Sequence, residues 1–557
     1  MDGANFEAMA TKEVTQSDIR DWLIEKVAET LKCSPEDIGL EEPFTSLGLD
    51  SLSMLMLTGD LAAWLGRDLQ ATLLLKHPTI EEVAELMARS EPGDLELQMP
   101  SPSRERPLPA TLAQERLLRH ANLPPGLDAN LVNPRFVIRG ALDLNALRGA
   151  LAEMVRRHEM LRTTFGVHAG SYVQIVHPTG SVVVEEVDWT TDVALQSEDQ
   201  MLTRARQMVM KPMDVGVLPL FHTSIIKVAE QDYRVMLVFH HLLCDADALR
   251  VFFAELTRLY SALCKGYPPA LEPLEWQLAD FAVWERDWLR RDAAPYQERL
   301  AWWREYWHAP PPIPRFPFVL KEPLSAVASS ASTRHAFVAL DIARQSELLA
   351  RQSKCTLYTL FFAAFSSYLL GHIPEREVAI GTYVSDRKRM AAGGLLGMFV
   401  SMVPVRVKSP PDSTFREFVQ RVRLELDQVS LRRELPFEEV TEHLRGAGKE
   451  VPEVLVLFQH MHLPGDALSL EGTQTTRWLE HGQRLETSGL SFSTVSARDE
   501  LAVWVSFDGS LYDAAEVEGF LNGFVAYLGA LMSEPDQKLT REKPVEVSGW
   551  DSLFGPG

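Results

Sequence analysis

The stretch from Ser90 to Pro109 (SEPGDLELQMPSPSRERPLP) constrains this chain more than any other feature. It holds five prolines and no sustained hydrophobic period, so neither a helix nor a strand runs through it, and it reads as an extended linker. About 90 residues precede it and about 450 follow, and the length prior for the whole chain is three to four folding units. The 557 residues carry 55 Lys+Arg against 77 Asp+Glu, a net charge of −22. That balance argues against nucleic acid as a partner, because phosphate binding needs clustered cations. The most apolar run, Leu357 to Leu370, contains Thr359, Ser366 and Ser367 and is too short for a bilayer, so it reads as a buried helix and no membrane association is expected. Cys33, Cys244, Cys264 and Cys355 are too widely spaced for a disulfide framework or a zinc site, so no metal centre is expected. With an opening, MDGANFEAMATKEV, that lacks a basic and then an apolar region, they point to the cytoplasm.

The short front piece has helical periods. Ile19, Trp22, Leu23 and Val27 share one face of a helix that the pattern caps near Ser17. Leu57, Leu61, Trp64 and Leu65 form a second stripe. Pro78-Thr79 opens a further helix, with Ile80, Val83 and Met87 inward, and an irregular loop from about Cys33 to Leu49 joins the first two helices. Residues 11–91 hold 16 acids against 7 bases, so this is a small acidic helical bundle.

The long rear piece mixes periods of two and of 3.6. Strands are expected at Arg135–Arg139, Ser171–His177, Phe221–Lys227, Tyr233–His240 and from His335. Helices are expected after Asp143, at about Leu278–Leu289 and Tyr296–Trp307, and at Ile342–Ala350 and Leu357–Leu370. Strand and helix alternate twice on a similar scale, which predicts two α+β lobes.

Ser51 stands where loop becomes helix in FTSLGLDSLSMLML (Phe44–Leu57). Asp50 and Ser51 both suit a helix N-terminus, where unpaired N–H groups and the positive dipole end favour oxygen and negative charge, including a phosphodiester. A Ser-Leu pair at a helix start is also an ordinary structural feature. The loop–GLDSL–helix core, the short segment ending at His77-Pro78 and the helix from Thr79 together resemble an acyl or peptidyl carrier protein. The resemblance implies 4′-phosphopantetheine on Ser51, attached by a phosphopantetheinyl transferase. Asp50 before the serine looks more like the acyl carriers of polyketide or fatty-acid systems.

In the rear piece HHLLCDADALRVFF begins at the end of a predicted strand. Strand alternation turns His240 and His241 to opposite faces, so at most one addresses a given cleft. Asp245 follows the strand, where a carboxylate can bind backbone or fix a turn. Cys244 invites a Cys–His nucleophile reading, which we reject because no acyl-enzyme is needed and small buried cysteines are common.

The surrounding motifs resemble, in order, the condensation domain of non-ribosomal peptide synthetases, within the chloramphenicol-acetyltransferase-like superfamily. They are PLPATLAQER from Pro107, RHEMLRTTF from Arg157, HHLLCDA from His240, LADFAVW from Leu278, IGTYVSDR to GMFVSMVPVR (Ile380–Arg406), ELPFEEV from Glu434 and VLVLFQHM from Val454. The resemblance implies two lobes with a tunnel between them, His241 facing the tunnel, and His240, Asp245 and Arg387 as support, with Asp245 paired to Arg387. An amine attacking a thioester must lose a proton, and an imidazole, titrating at about pH 6.5 in isolation, can accept or share it. Ala246, Asp386 and Ser401 depart from the family pattern. If the backbone at 246 needs positive φ, alanine there costs about 1 kcal/mol.

The expected architecture is multidomain: a small all-α four-helix carrier bundle (14–91), a linker (92–106), and a two-lobed α+β, chloramphenicol-acetyltransferase-like condensation domain. Its N-terminal lobe is 107–283 and its C-terminal lobe 284–540, followed by a polar tail (541–557) that is either a plain end or a docking segment. No adenylation-type phosphate loop, P-loop or ketosynthase cysteine motif stands out, so an upstream acyl-loading enzyme or synthase module must supply the acyl group. The acceptor is a downstream carrier protein or a free molecule. The expected activity is acyl transfer from a phosphopantetheine thioester to an amine, forming an amide, in a peptide or hybrid polyketide–peptide assembly line. The rivals are ester formation, epimerisation and an inactive recruitment platform.

Overall fold

The computed structural model describes residues 15–31, 34–47, 49, 51–65, 69, 73–89, 99–120, 131–192, 197–209, 211–316, 318, 331–385, 387, 394–409, 412–462, 468–478, 489–497 and 500–539. Asp50, Asp386 and the tail 541–557 lie outside these, as does 92–98 of the expected linker.

The first front helix, Gln16–Leu31, is capped two residues ahead of the expected position, at Thr15. Thr15 Oγ1 accepts from the Asp18 amide (3.3 Å) while the Asp18 carboxylate accepts from the Thr15 amide (2.9 Å). Such a reciprocal box needs an acid three residues beyond the cap. Asp18 supplies it for Thr15, whereas Ser17 has Arg20 there, and Arg20 instead grips Glu81 at the start of the last helix, Ile80–Arg89 (Nε to Oε2, 2.8 Å). Ile19, Leu23 and Val27 are buried against Leu57, Leu61, Ile80, Val83 and Met87, as their spacing requires. Trp22 stacks on Trp64 with ring centres 5.3 Å apart. The joining loop is more ordered than expected. It holds a 3-10 turn, Pro35–Asp37, and a one-turn helix, Phe44–Leu47. The Phe44 amide donates to the Pro78 carbonyl (2.7 Å) and the Glu81 amide to the Leu40 carbonyl (3.1 Å). Helices Ser51–Leu65 and Leu73–Lys76 complete the set.

Among the described residues the rear unit is built on two six-stranded sheets and a small three-stranded one. In the first large sheet the order is Thr473–Arg477, Arg135–Gly140, Asp232–His240, Phe221–Ala229, Val184–Asp188, with Leu131–Val132 also pairing Asp232–His240. All neighbours are antiparallel except the last pair, Val184–Asp188 with Phe221–Ala229, which is parallel. Helices Leu144–Arg157 and Ala246–Cys264 pack on one another beside this sheet. Phe136, Phe221, Phe239, Phe252 and Phe253 fill the space between with edge and stacked ring contacts of 4.5–5.6 Å.

The second large sheet runs Val400–Lys408, Glu377–Ser385, Val456–His462, Leu490–Ala497, Glu500–Asp508, Ala331–Val338. Val456–His462 is parallel to both of its neighbours. Phe365, in the apolar helix Leu357–His372, packs on Phe458 and Phe492 of this sheet (5.1 and 4.6 Å). That helix is a buried core element, as its length and hydroxyls require. Among the described residues no helix is long and apolar enough to cross a membrane.

Thr473–Arg477 belongs by sequence position to the segment expected to form the second lobe, yet it completes the first lobe's sheet, with Thr475 opposite Ile138. A cut at residue 284 therefore does not separate the hydrogen bonding of the two sheets.

Candidate functional site

The strand Asp232–His240 is buried from Arg234 to its end, and the chain leaves it in a 3-10 turn, His241–Leu243, that hands over to the long helix Ala246–Cys264. The division between the two histidines therefore comes from the end of the strand and not from alternation within it. His240, the last strand residue, is 4% exposed, and its Nδ1 accepts from the Leu242 amide (3.2 Å). An accepting Nδ1 leaves the proton on Nε2. Burial, helped by the adjacent His241, pushes the His240 pKa down to about 4, which keeps that lone pair available.

His241 is partly exposed, and its Nδ1 lies 2.9 Å from the Cys244 carbonyl oxygen. A carbonyl only accepts, so Nδ1–H donates and the Nε2 lone pair of the neutral ring is left for chemistry. Cys244 contributes this bond through its backbone, with an extended φ of −156°, and its side chain is buried. The histidine is thus oriented by the main chain, and the thiol takes no part in that bond.

Asp245 is 4% exposed and works in two directions. One carboxylate oxygen caps the long helix by accepting from the Ala248 amide (2.7 Å). The other accepts from the Phe399 amide (3.0 Å), at the foot of the second sheet's strand Val400–Lys408. A carboxylate at a helix N-terminus meets unpaired N–H groups and the positive dipole end, which explains an acid at this position. Gly397, just ahead of Phe399, has φ +150°, and a Cβ there would fall 2.7 Å from Leu278 Cδ2, so the GMFV segment needs its glycine. Arg387 is 2% exposed, a buried cation and not a solvated surface one. Ala246 is exposed and opens the long helix, and it is not among the positive-φ residues described, so the strain considered for alanine there does not arise.

Two supports escaped the motif reading. Gln114, wholly buried, donates from Nε2 to the Leu242 carbonyl (3.1 Å). Its signal was the T-x-x-Q spacing in PLPATLAQER, a capping box at the start of helix Leu112–His120. In RHEMLRTTF, His158 Nε2 meets Glu255 Oε2 at 2.6 Å and Arg157 grips the same carboxylate (3.0 Å), tying the two long helices together. Burial would raise the Glu255 pKa, but the hydrogen bond and charge of His158, with those of Arg157, hold it below the usual carboxylate range.

In the front unit Ser51 is the first residue of the helix Ser51–Leu65, as expected. That placement fits a phosphodiester, because a 15-residue helix presents its unpaired amides at this end.

Comparison with known proteins agrees with this geometry. A family model described as "Condensation domain" matches residues 104–548, and one described as "Phosphopantetheine attachment site" matches 21–87. One of the linear gramicidin synthase subunits of Brevibacillus parabrevis is 28% identical over 522 residues, 91% of this chain but 10% of that protein, so the chain spans about a tenth of the relative's length. The crystal structure of the X-domain from teicoplanin biosynthesis shares the rear fold with a TM-score of 0.69 at 22% identity, covering 81% of this chain and 100% of that one. The condensation domain from the monacolin K polyketide synthase MokA does so at 0.66 and 19%, covering 78% and 99%. A histidine turn braced from both sheets and a helix-initial serine in a matching attachment domain thus have one common explanation: the chain belongs to the condensation-domain family and is a carrier–condensation didomain of the non-ribosomal peptide synthetase type.

Proposed function

We propose that the rear domain transfers an acyl group from a phosphopantetheine thioester to an acceptor amine, forming an amide, with His241 as the catalytic residue. The observation that carries this reading is the orientation of one ring. His241 is partly exposed with its Nδ1–H held by the Cys244 carbonyl, while His240, Leu242, Leu243, Cys244 and Asp245 around it are buried. Its Nε2 is the basic atom that the motif presents. As the amine nitrogen bonds to the thioester carbonyl carbon, Nε2 takes the amine proton. The imidazolium so formed is stabilised by the Cys244 carbonyl dipole. When the C–S bond breaks, Nε2–H returns the proton to the departing thiolate, so the ring ends neutral. Placing two reactants beside this ring adds an entropic advantage to the proton transfer.

On the same reading, Ser51, with Asp50 beside it, carries the phosphopantetheine of the attachment domain. That group supplies a thiol on a long arm, which holds the acyl group. Residues 14–91 are the carrier, 107–283 and 284–540 the two lobes. A phosphopantetheinyl transferase, an upstream acyl-loading enzyme and a downstream carrier or small acceptor in the cytosol are the partners this chemistry requires.

Intact-protein mass spectrometry tests the reading. Treatment with a phosphopantetheinyl transferase and an acyl-CoA adds the arm and acyl group to the wild type and not to Ser51→Ala. Acyl loss to an added amine then slows about 100-fold or more in His241→Ala, the usual contribution of general-base catalysis. Transfer at the wild-type rate in His241→Ala refutes acyl transfer at this histidine. Inverted stereochemistry at constant mass favours epimerisation.

A further inference from the structure

We propose that Gln114 is a positioning residue for the transfer: through the Leu242 carbonyl it sets the turn that presents the His241 imidazole, a role that rests on the reading of His241 given above. The turn has little stiffness of its own. It spans three residues, His241–Leu243, closed by the Cys244 amide on the His241 carbonyl at 3.3 Å, and isolated 3-10 turns are weak. What holds it is side chains on both peptide groups of Leu242. His240 Nδ1 takes the amide at 3.2 Å and Gln114 Nε2 the carbonyl at 3.1 Å.

The Gln114 amide has only one sensible orientation. Its Oε1 accepts from the Thr111 amide (3.0 Å), and Thr111 Oγ1 accepts from the Gln114 amide (3.1 Å). Turned over, the side chain would set NH₂ against an N–H and an oxygen against the Leu242 carbonyl, two repulsions in a site without exposure. The cap is anchored in turn. The Leu112 amide donates to Glu285 (2.7 Å), and the Arg286 guanidinium reaches the Ala110 carbonyl (2.9 Å), so helix Leu278–Trp288 backs the brace. Loss of the Gln114 donor leaves a buried Leu242 carbonyl without this partner. The turn then relaxes, and the distance from His241 Nδ1 to the Cys244 carbonyl, at the other end of the same turn, changes with it.

The test uses the full chain labelled with ¹⁵N-histidine, a soluble acyl-pantetheine thioester and an amine acceptor. Gln114→Glu replaces the donor with a carboxylate oxygen. Gln114→Met, nearly isosteric and without donor or charge, serves if the first variant does not fold. Nitrogen chemical shifts read the His241 tautomer without any turnover. Expected are a loss of the pure Nδ1–H tautomer and a fall in kcat of about 10- to 100-fold with KM little changed, the scale seen when a group orienting a reacting residue is removed. A folded variant with unchanged His241 shifts, or with a changed tautomer but wild-type kcat, overturns the proposal. Undiminished transfer in His241→Ala brings down the transfer reading itself, by a separate observation.

Discussion

His240 and His241 are adjacent and chemically identical, and a single nitrogen separates their duties. Nδ1 accepts a backbone N–H in the first and donates to a backbone carbonyl in the second. The first must therefore stay neutral for the turn to hold, and its folded pKa of about 4 lies below the ordinary imidazole value. The sign follows. Between about pH 6.5 and 4 the unfolded chain binds a proton that the folded chain refuses, so stability falls as pH drops through that window and is unaffected above it. From pH 7.5 to pH 5 this one residue accounts for a loss of about 2 kcal/mol. In His240→Asn, whose side-chain oxygen can take the same amide and does not titrate, that part of the acid sensitivity disappears. Urea unfolding at the two pH values measures it, and equal losses in both proteins would remove this account.

Among the elements, the segment expected to be a plain linker is partly structural. Arg104, near its end, bridges Glu159 (2.9 Å) in the RHEMLR motif and Asp280 (2.8 Å) at the start of helix Leu278–Trp288, and it also donates to the Pro102 carbonyl (2.8 Å). The same helix start is tied by Gln277 to the Arg157 carbonyl (3.0 Å) and the Glu159 amide (3.1 Å). Arg104 thus fastens the entry to the condensation domain onto the element that also backs Gln114. Arg104→Ala strands two partly buried carboxylates. We expect a loss of about 1–3 kcal/mol and faster cleavage after Glu105 by a glutamate-specific protease. Unchanged cleavage kinetics would show that the bridge does not hold the segment down.

For the molecule as a whole, the decisive connection is the late strand Thr473–Arg477 on the edge of a sheet otherwise made before residue 241. The crossing depends on glycine at one point. Gly140 has φ +123°, and a Cβ there would stand 2.6 Å from the Gly472 carbonyl oxygen and 3.0 Å from Thr473 Cα, both backbone atoms that cannot rotate away. Gly170 also has positive φ (+80°), with open space where its Cβ would be. Gly170→Ala should cost about 1 kcal/mol from conformation alone. Gly140→Ala adds displacement of the late strand and should cost about 2–4 kcal/mol. Urea unfolding of the two variants compares them, and equal costs would mean that the crossing adds nothing.

Much of the molecule was legible because its signals are local. Helix faces such as Ile19–Leu23–Val27, the cap at Asp143, the GLDSL helix start and the ordered series of motifs all follow from spacing within a few residues. The proline-rich seam is a local signal of the same kind. What the sequence left undecided were relations between distant residues. It did not show that Asp245 would bind the Phe399 amide, that Gln114 would reach Leu242, that Arg104 would fasten the linker's end, or that residues 473–477 would complete a sheet begun at 131. Each of these is a hydrogen bond or a strand pairing, whose partner is chosen by where packed sheets and helices bring the backbone, and no periodicity along the chain records that. The residue types of the histidine turn were therefore written in the sequence, while the proton positions on its two rings were settled only by the fold around it.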